Sequence, residues 1–377
     1  MNEGSLSLFS SSVSHNRSGN GDSGASGGEG GYGGGIFSNG QLTLTACTIA
    51  NNRSGNGREG YSGGDGGGIY SSGLLALTGC TLANSAAGDI GFGSGGYGGG
   101  IYSVGHLSLT ACTLASNTSG NVSNGIPTSS VGSGGGIAKC DQTRYRLTAC
   151  TLAGNRMGTG AVFDRGAGIF GGRPILQHCL MADNKLTNGT TVEDVQADVI
   201  TFEGSNLLGA AAIGTTTGPA PIINANPLLA PLGDYGGPTQ TLLPLPGSLA
   251  IDAATGSTRT RDQRGFPIIG TADIGAVEAQ ADLIGFTDAD NDGMDDRLEV
   301  FYGYSVGVAD GRTLDSDGDG SNNAEELGNM TSPRDSTSLL KILSFQRIDA
   351  GNVTLTWTSF PGLSYTAQYS FDDLSLT

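Results

Sequence analysis

GGGIFSNGQLTLTACTIANN, residues 33 to 52, decides the fold, because the chain repeats it. GGGIYSSGLLALTGCTLANS follows at residues 66 to 85, and GGGIYSVGHLSLTACTLASN at 98 to 117. The isoleucine returns as Ile137 and Ile169, so copies are spaced 32 to 36 residues apart. YRLTACTLAGN from Tyr145, a looser ILQHCLMADN from Ile175 and a partial LSLFSSSVSHN from Leu6 bring the copies to six. Self-similarity at this period marks a stacked repeat architecture.

Within one copy, Leu42 and Leu44 alternate with threonine, the period of two that marks a strand. Cys47 and Ile49 alternate again with the opposite parity, so the chain bends between Leu44 and Cys47. Ile36 belongs to a further strand, with Gly40 as the turn after it. A unit this small cannot bury its own apolar face. Stacked units can, each pairing with the next as parallel strands about 4.8 Å apart. The columns this predicts are Cys47, Cys80, Cys112, Cys150 and Cys179, and, five residues later, Asn16, Asn52, Ser85, Asn117, Asn155 and Asn184. Asparagine tolerates turn geometry and its amide bonds to the same amide one rung away. The cysteines sit on inward positions, where a free thiol packs as a small hydrophobe. No Cys-x-x-Cys spacing points to a metal, and Cys140 stands off the column.

Composition fits a thin core repeated many times. Glycine supplies 67 of 377 residues, and only 14% of the chain is charged. The net charge of −17 excludes nucleic acid, which needs clustered Lys and Arg, and disfavours an anionic membrane surface. No run of 18 apolar residues offers a membrane span. The surplus of each copy lies after the Asn ladder, in Gly-rich stretches such as Arg53 to Asp65 and Ala86 to Tyr97. These read as flexible spacer loops on one side of the stack. Tyr32, Tyr61, Phe92, Tyr97 and Phe163 punctuate them, which leaves a binding face as the other reading.

The GGGI and CT(I/L)xxN blocks resemble the repeats of bacterial right-handed β-helix surface proteins. They are also similar to polymorphic outer-membrane proteins, whose copies carry GGA(I/L) and FxxN; here Gly replaces that Ala and Cys stands near the Phe. NPLLAPLGDYGGPTQTLLPLPGSLAIDA from Asn226, DQRGF from Asp262 and DIGAVE from Asp273 together resemble the cassette of choice-of-anchor Q proteins, over roughly residues 190 to 280. The resemblance implies surface anchoring and no general catalytic role. Physically the stretch reads as a cap, because an open coil end templates aggregation. Asp262, Arg264, Asp273 and Glu278 read as ion-paired staples of that cap.

The excess negative charge concentrates between Asp288 and Asp335, with 13 acids against 3 arginines. Two twelve-residue segments there match the calcium loop D-x-D-x-[DN]-G-x5-E. The first offers Asp288, Asp290, Asp292, the carbonyl of Met294, Asp296 and Glu299; the second offers Asp315, Asp317, Asp319, the carbonyl of Ser321, Asn323 and Glu326. Carboxylates at positions 1, 3 and 5 converge on one ion, glycine at 6 (Gly293, Gly320) permits the sharp turn, position 9 acts through water, and glutamate at 12 closes the shell. No helix precedes Asp288, so the pair resembles dockerin loops or thrombospondin type 3-like repeats rather than full EF-hands. Ca2+ is the expected cofactor, turning a loose acidic segment into a rigid spacer.

The expected fold class is all-β: a right-handed parallel β-helix over residues 1–210, a C-terminal cap over 211–281, calcium-binding loops over 282–338 and a partial β-sandwich-like module over 339–377. In that tail VTLTWTSFPGLSYTAQYS, from Val353, reads as two strands joined at Pro361-Gly362. The expected function is a non-catalytic cell-surface or secreted scaffold or adhesin, with an extracellular glycan or another surface protein as partner. The alternatives are a β-helix polysaccharide lyase or glycoside hydrolase, and a carbohydrate-binding module. Against an enzyme, Asp22, Glu29, Glu59, Asp65, Asp89, Asp141, Asp164 and Asp183 fall at different offsets; Asp141 with Arg144 and Asp164 with Arg165 are the nearest to a catalytic pairing. His15, His106 and His178 are scattered. The extracellular location follows from the resemblance, since no signal peptide follows Met1; together with an opening inside a coil, this makes the chain read as a fragment.

Overall fold

The computed structural model describes residues 1–22, 28–58, 60–90, 93–123, 132–160, 165–187, 189–224, 226–230, 232–244, 248–279, 290, 304–305, 307–309, 313–323, 325–326, 336, 342–347 and 353–357. The chain divides into two compact units, Met1–Ile284 and Gly285–Thr377.

The first unit is a parallel β-helix. One sheet runs through β1 (Ser5–Phe9), β4 (Gln41–Thr45), β7 (Leu74–Thr78), β10 (His106–Thr110), β12 (Ile137–Thr148), β14 (Ile169–Gln177), β16 (Val195–Glu203) and β18 (Ile213–Thr217). The short strands β3 (Ile36–Ser38), β6 (Ile69–Ser71) and β9 (Ile101–Ser103) join it through β12. A second sheet stacks β2 (Ser12–Ser14), β5 (Thr48–Ala50), β8 (Thr81–Ala83), β11 (Thr113–Ala115), β13 (Thr151–Ala153), β15 (Leu180–Ala182), β17 (Leu207–Leu208) and β19 (Ile222–Ile223). Register follows the repeat: Leu42 pairs with Leu75, Leu75 with Leu107, and Ile36 with Ile69 and then Ile101. The coil continues past residue 210 to Ile223.

The bend between Leu44 and Cys47 is a single left-handed residue. Ala46, Gly79, Ala111, Ala149 and His178 take φ of 48° to 61° there. A second left-handed position follows β5, β8, β11, β13 and β15, at Asn51, Asn84, Ser116, Gly154 and Asp183. One such residue turns the chain and resets the alternation, which is the parity flip seen in the sequence. Leu42, Leu44, Cys47 and Ile49 are fully buried, as are their counterparts Cys80, Cys112, Cys150 and Cys179. Cys47 N–H donates to Cys80 Sγ at 3.4 Å, so the cysteines are stacked as thiols, and all six cysteines are free.

The Asn ladder forms. Asn16 Nδ2 donates to Asn52 Oδ1 at 3.1 Å, Asn117 Nδ2 to Asn155 Oδ1 at 3.0 Å, and Asn155 Nδ2 to Asn184 Oδ1 at 2.8 Å. Ser85 interrupts the amides but receives Asn52 N–H at 3.3 Å and donates its own N–H to Asn117 Oδ1 at 3.0 Å. The ladder ends on Asp194, whose Oδ1 accepts Asn184 Nδ2 at 2.7 Å and whose Oδ2 accepts Gly209 and Ala210 N–H.

The described parts of the Gly-rich stretches are ordered, not spacers. Hydrogen bonds zigzag between two glycine columns: Gly55 N–H to Gly31 O, Gly64 to Gly55, Gly88 to Gly64, Gly96 to Gly88 and Gly120 to Gly96, at 2.8 to 2.9 Å. The backbones approach so closely that a Cβ on Gly88 would stand 1.9 Å from Gly55 O. Glycine is abundant because this part of each rung is a backbone-on-backbone lattice.

After the coil, Thr239, Gln263 and Ala276 lie against the flank of the second sheet. Thr113 Oγ1 donates to Gln263 Oε1 at 2.6 Å, Gln263 Nε2 donates to Thr81 Oγ1 at 2.9 Å, and Ala276 N–H reaches Thr151 Oγ1 at 2.9 Å. The outward threonines of successive rungs thus hold Gln263 and Ala276. At the last rung, β18 is exposed along its length. In the second unit, Ile342–Arg347 pairs antiparallel with Val353–Trp357 as β20 and β21. The turn expected at Pro361-Gly362 lies outside the described residues.

Candidate metal centre

Of the first predicted calcium loop, Asp290 is described; Asp288, Asp292, Met294, Asp296 and Glu299 lie outside the described residues. The second loop is described at every expected ligand position. Asp315 holds the turn together: its Oδ1 accepts N–H from Gly318 at 2.7 Å and Asp319 at 3.2 Å, and its Oδ2 accepts Gly320 N–H at 2.9 Å. Asp317 Oδ1 takes a further bond from Asp319 N–H at 3.2 Å, and Asp319 Oδ1 takes one from Ser321 N–H at 2.8 Å. This tight winding needs φ of 79° at Gly318 and 98° at Gly320.

The winding brings one carboxylate oxygen from each of Asp315, Asp317 and Asp319 within 4.8 Å of the others. Asp317 Oδ2 and Asp319 Oδ2 are buried and have no hydrogen-bond partner. Glu326 is fully buried beside them. Burial first, then the charges of Asp317, Asp319 and Asp315, push its carboxyl up to about 7. Asn323 is buried, donates Nδ2 to Ser316 Oγ at 3.0 Å, and closes the loop through its N–H to Leu314 O at 2.8 Å.

Behind the loop, Asn323, Glu325 and Glu326 take helical backbone. Asn322 caps this turn: its Oδ1 accepts Glu325 N–H at 3.0 Å, and Glu325 Oε2 accepts Asn322 N–H at 3.0 Å. This is a reciprocal capping box, whose signal in the sequence is Asn322 followed three residues later by Glu325, overlapping the acidic ligand spacing. It fixes the start of the turn that carries Glu326. The arrangement gathers one carboxylate oxygen from each of Asp315, Asp317 and Asp319, an oxygen-only set of the kind hard divalent cations take.

Other groups singled out in the sequence serve the β-helix unit. Arg264 and Asp262 form a buried ion pair at 2.6 Å, and Arg264 lies 4.5 Å over the Phe266 ring. Asp273 Oδ1 accepts Asp252 N–H at 2.7 Å, and Glu278 Oε2 accepts Asp273 N–H at 3.1 Å. Glu278, desolvated and beside Asp273, is raised to about 7. Asp141 pairs with the buried Lys139, while Arg144 stands in register with Arg173. Asp164, Phe92 and Phe163 lie outside the described residues. His15 and His178 occupy left-handed bends, with φ of 59° and 54°. Among the described residues, no helix is long and apolar enough to cross a membrane.

No protein-family model matches this chain, and neither a curated protein nor a solved structure matches it.

Proposed function

We propose that this chain is a non-catalytic scaffold or adhesin of a bacterial cell surface or secreted fraction, whose acidic segment is ordered by calcium. The observation that carries the reading is the second acidic loop: three carboxylates wound around one point, with Glu326 held beside them. Like charges gathered this closely repel, and a divalent cation relieves the repulsion. The β-helix supplies a long rigid body, and the resemblance of its repeats to surface proteins supports display outside the cell. Extracellular calcium modules bind with Kd of about 10⁻⁴ to 10⁻³ M.

Titration calorimetry and limited proteolysis of the full chain test this reading. Calcium is expected to release or absorb heat and to protect the acidic segment from cleavage. Both effects should be lost in the Asp288→Ala plus Asp315→Ala double variant. Absence of heat and protection in the wild-type chain, or their persistence in the double variant, would sink it.

A further inference from the structure

The residue after each inward isoleucine points out of the coil, and on three successive rungs it is aromatic: Phe37, Tyr70 and Tyr102, in register. Their rings pile up, with centroids 4.9 Å apart from Phe37 to Tyr70 and 5.2 Å from Tyr70 to Tyr102. Tyr32, from the adjacent turn, leans on Tyr70 at 5.1 Å. All four are half-buried. In the next rung the position is Ala138, so the pile stops there.

Two carboxylates flank this strip. Glu29 accepts the Tyr32 hydroxyl at 2.6 Å, and Asp65 accepts Tyr97 N–H at 2.8 Å. The Asp65 charge is felt at Tyr32, Tyr70 and Tyr102. Burial, reinforced by Glu29, raises Asp65 to about 7 against the opposing Tyr97 hydrogen bond. Lys139, one residue after Ala138 on the next rung, is buried and committed to Asp141 and Thr143. The strip therefore combines aromatic rings with two acidic groups, the Glu29 carboxylate and the Asp65 carboxyl, which burial keeps only partly ionised near neutral pH. Such a surface repels uronates and sulfated chains and attracts an apolar body carrying ammonium groups. The pile is three rungs long and follows the coil axis in steps of about 4.8 Å, which suits an extended chain of sugars rather than one small cation.

The geometry points to a binding site for an amine-bearing glycan, a chain of hexosamine units with free amino groups, laid along Phe37, Tyr70 and Tyr102 with its ammonium groups against Asp65 and Glu29. The inference is independent of the calcium loop.

The test is calorimetric titration of the full chain with a glucosamine tetrasaccharide, its N-acetylated form, a galacturonate tetrasaccharide and choline. Binding is expected for the glucosamine chain, with affinity at least tenfold lower for each of the other three. Tyr70→Ala and Asp65→Asn should each weaken it at least tenfold, Tyr70→Phe should not, and Asp234→Asn, at an exposed acid elsewhere, should leave it unchanged. Thermal unfolding checks that each variant folds; if Tyr70→Ala does not, Asp65→Asn against Asp234→Asn decides. No binding, equal binding by all variants, or equal affinity for the N-acetylated chain or choline would overturn the proposal. Equal binding by all variants would instead be diffuse attraction to an acidic protein.

Discussion

Gly88 donates its N–H to the carbonyl of Gly64 at 2.9 Å, joining two limbs of neighbouring rungs through bare backbone. That bond is one step of the zigzag from Gly31 to Gly120, and it turns what reads as spacer sequence into part of the coil.

Gly88→Ala should therefore be strongly destabilising. Its Cβ would lie 1.9 Å from Gly55 O and 2.6 Å from Gly64 N, both backbone atoms with no freedom to swing aside. A loss of at least about 3 kcal/mol is expected, at the upper end of overpacking costs. Gly19→Ala, where the new methyl meets nothing within 4 Å, should change stability by less than about 0.5 kcal/mol. Denaturant unfolding of both variants checks the contrast.

The Asn ladder predicts a second loss. Asn155 donates to Asn184 Oδ1 and to Leu114 O, and accepts from Asn117 through its Oδ1. Asn155→Ala leaves those buried partners unsatisfied, at about 1 to 3 kcal/mol per group, so several kcal/mol should be lost. Ser85→Asn would restore an amide where the ladder is interrupted, and a gain of about 1 kcal/mol is expected. Thermal unfolding of each variant beside the wild type reads both signs.

Glu278 makes stability depend on pH. Its carboxyl is buried, and its pKa stands at about 7 against an ordinary 4.5. The folded state holds the proton more tightly than the unfolded chain does. The stability it contributes is complete below about pH 4.5 and is lost as pH rises through about 7. Asp65 is raised in the same direction, so the wild type alone does not separate them. The difference between wild type and Glu278→Gln does: the variant should show a shallower fall between pH 4.5 and 7.5. Identical slopes would refute the assignment.

Calcium and protons should compete at the second loop. Glu326 sits at about 7 because it is buried among Asp317, Asp319 and Asp315. A bound cation favours the ionised carboxylate, so apparent affinity should fall as pH drops below 7 and binding should release protons. Calorimetry in two buffers of different ionisation enthalpy measures the release. Glu326→Gln should abolish that contribution and weaken binding at least tenfold.

The isoleucine, cysteine and asparagine columns were legible in the sequence because each is a periodic choice repeated in register. Parallel stacking converts such a period directly into contact, so Cys47 over Cys80 and Asn155 over Asn184 required no further information. The convergence of Asp315, Asp317 and Asp319 was legible for the same local reason, since the three lie within five residues of one another. Tertiary structure decided the rest. That Gln263 reaches Thr81 and Thr113 across more than 140 residues depends on a non-repeating segment finding one flank of the coil, which no period encodes. That Asp194 terminates the asparagine ladder depends on a turn placing it beside Asn184, off the repeat. The glycine columns carried their signal in composition, but with no side chain to mark inside from outside, only the close approach of the backbones shows why they are glycine.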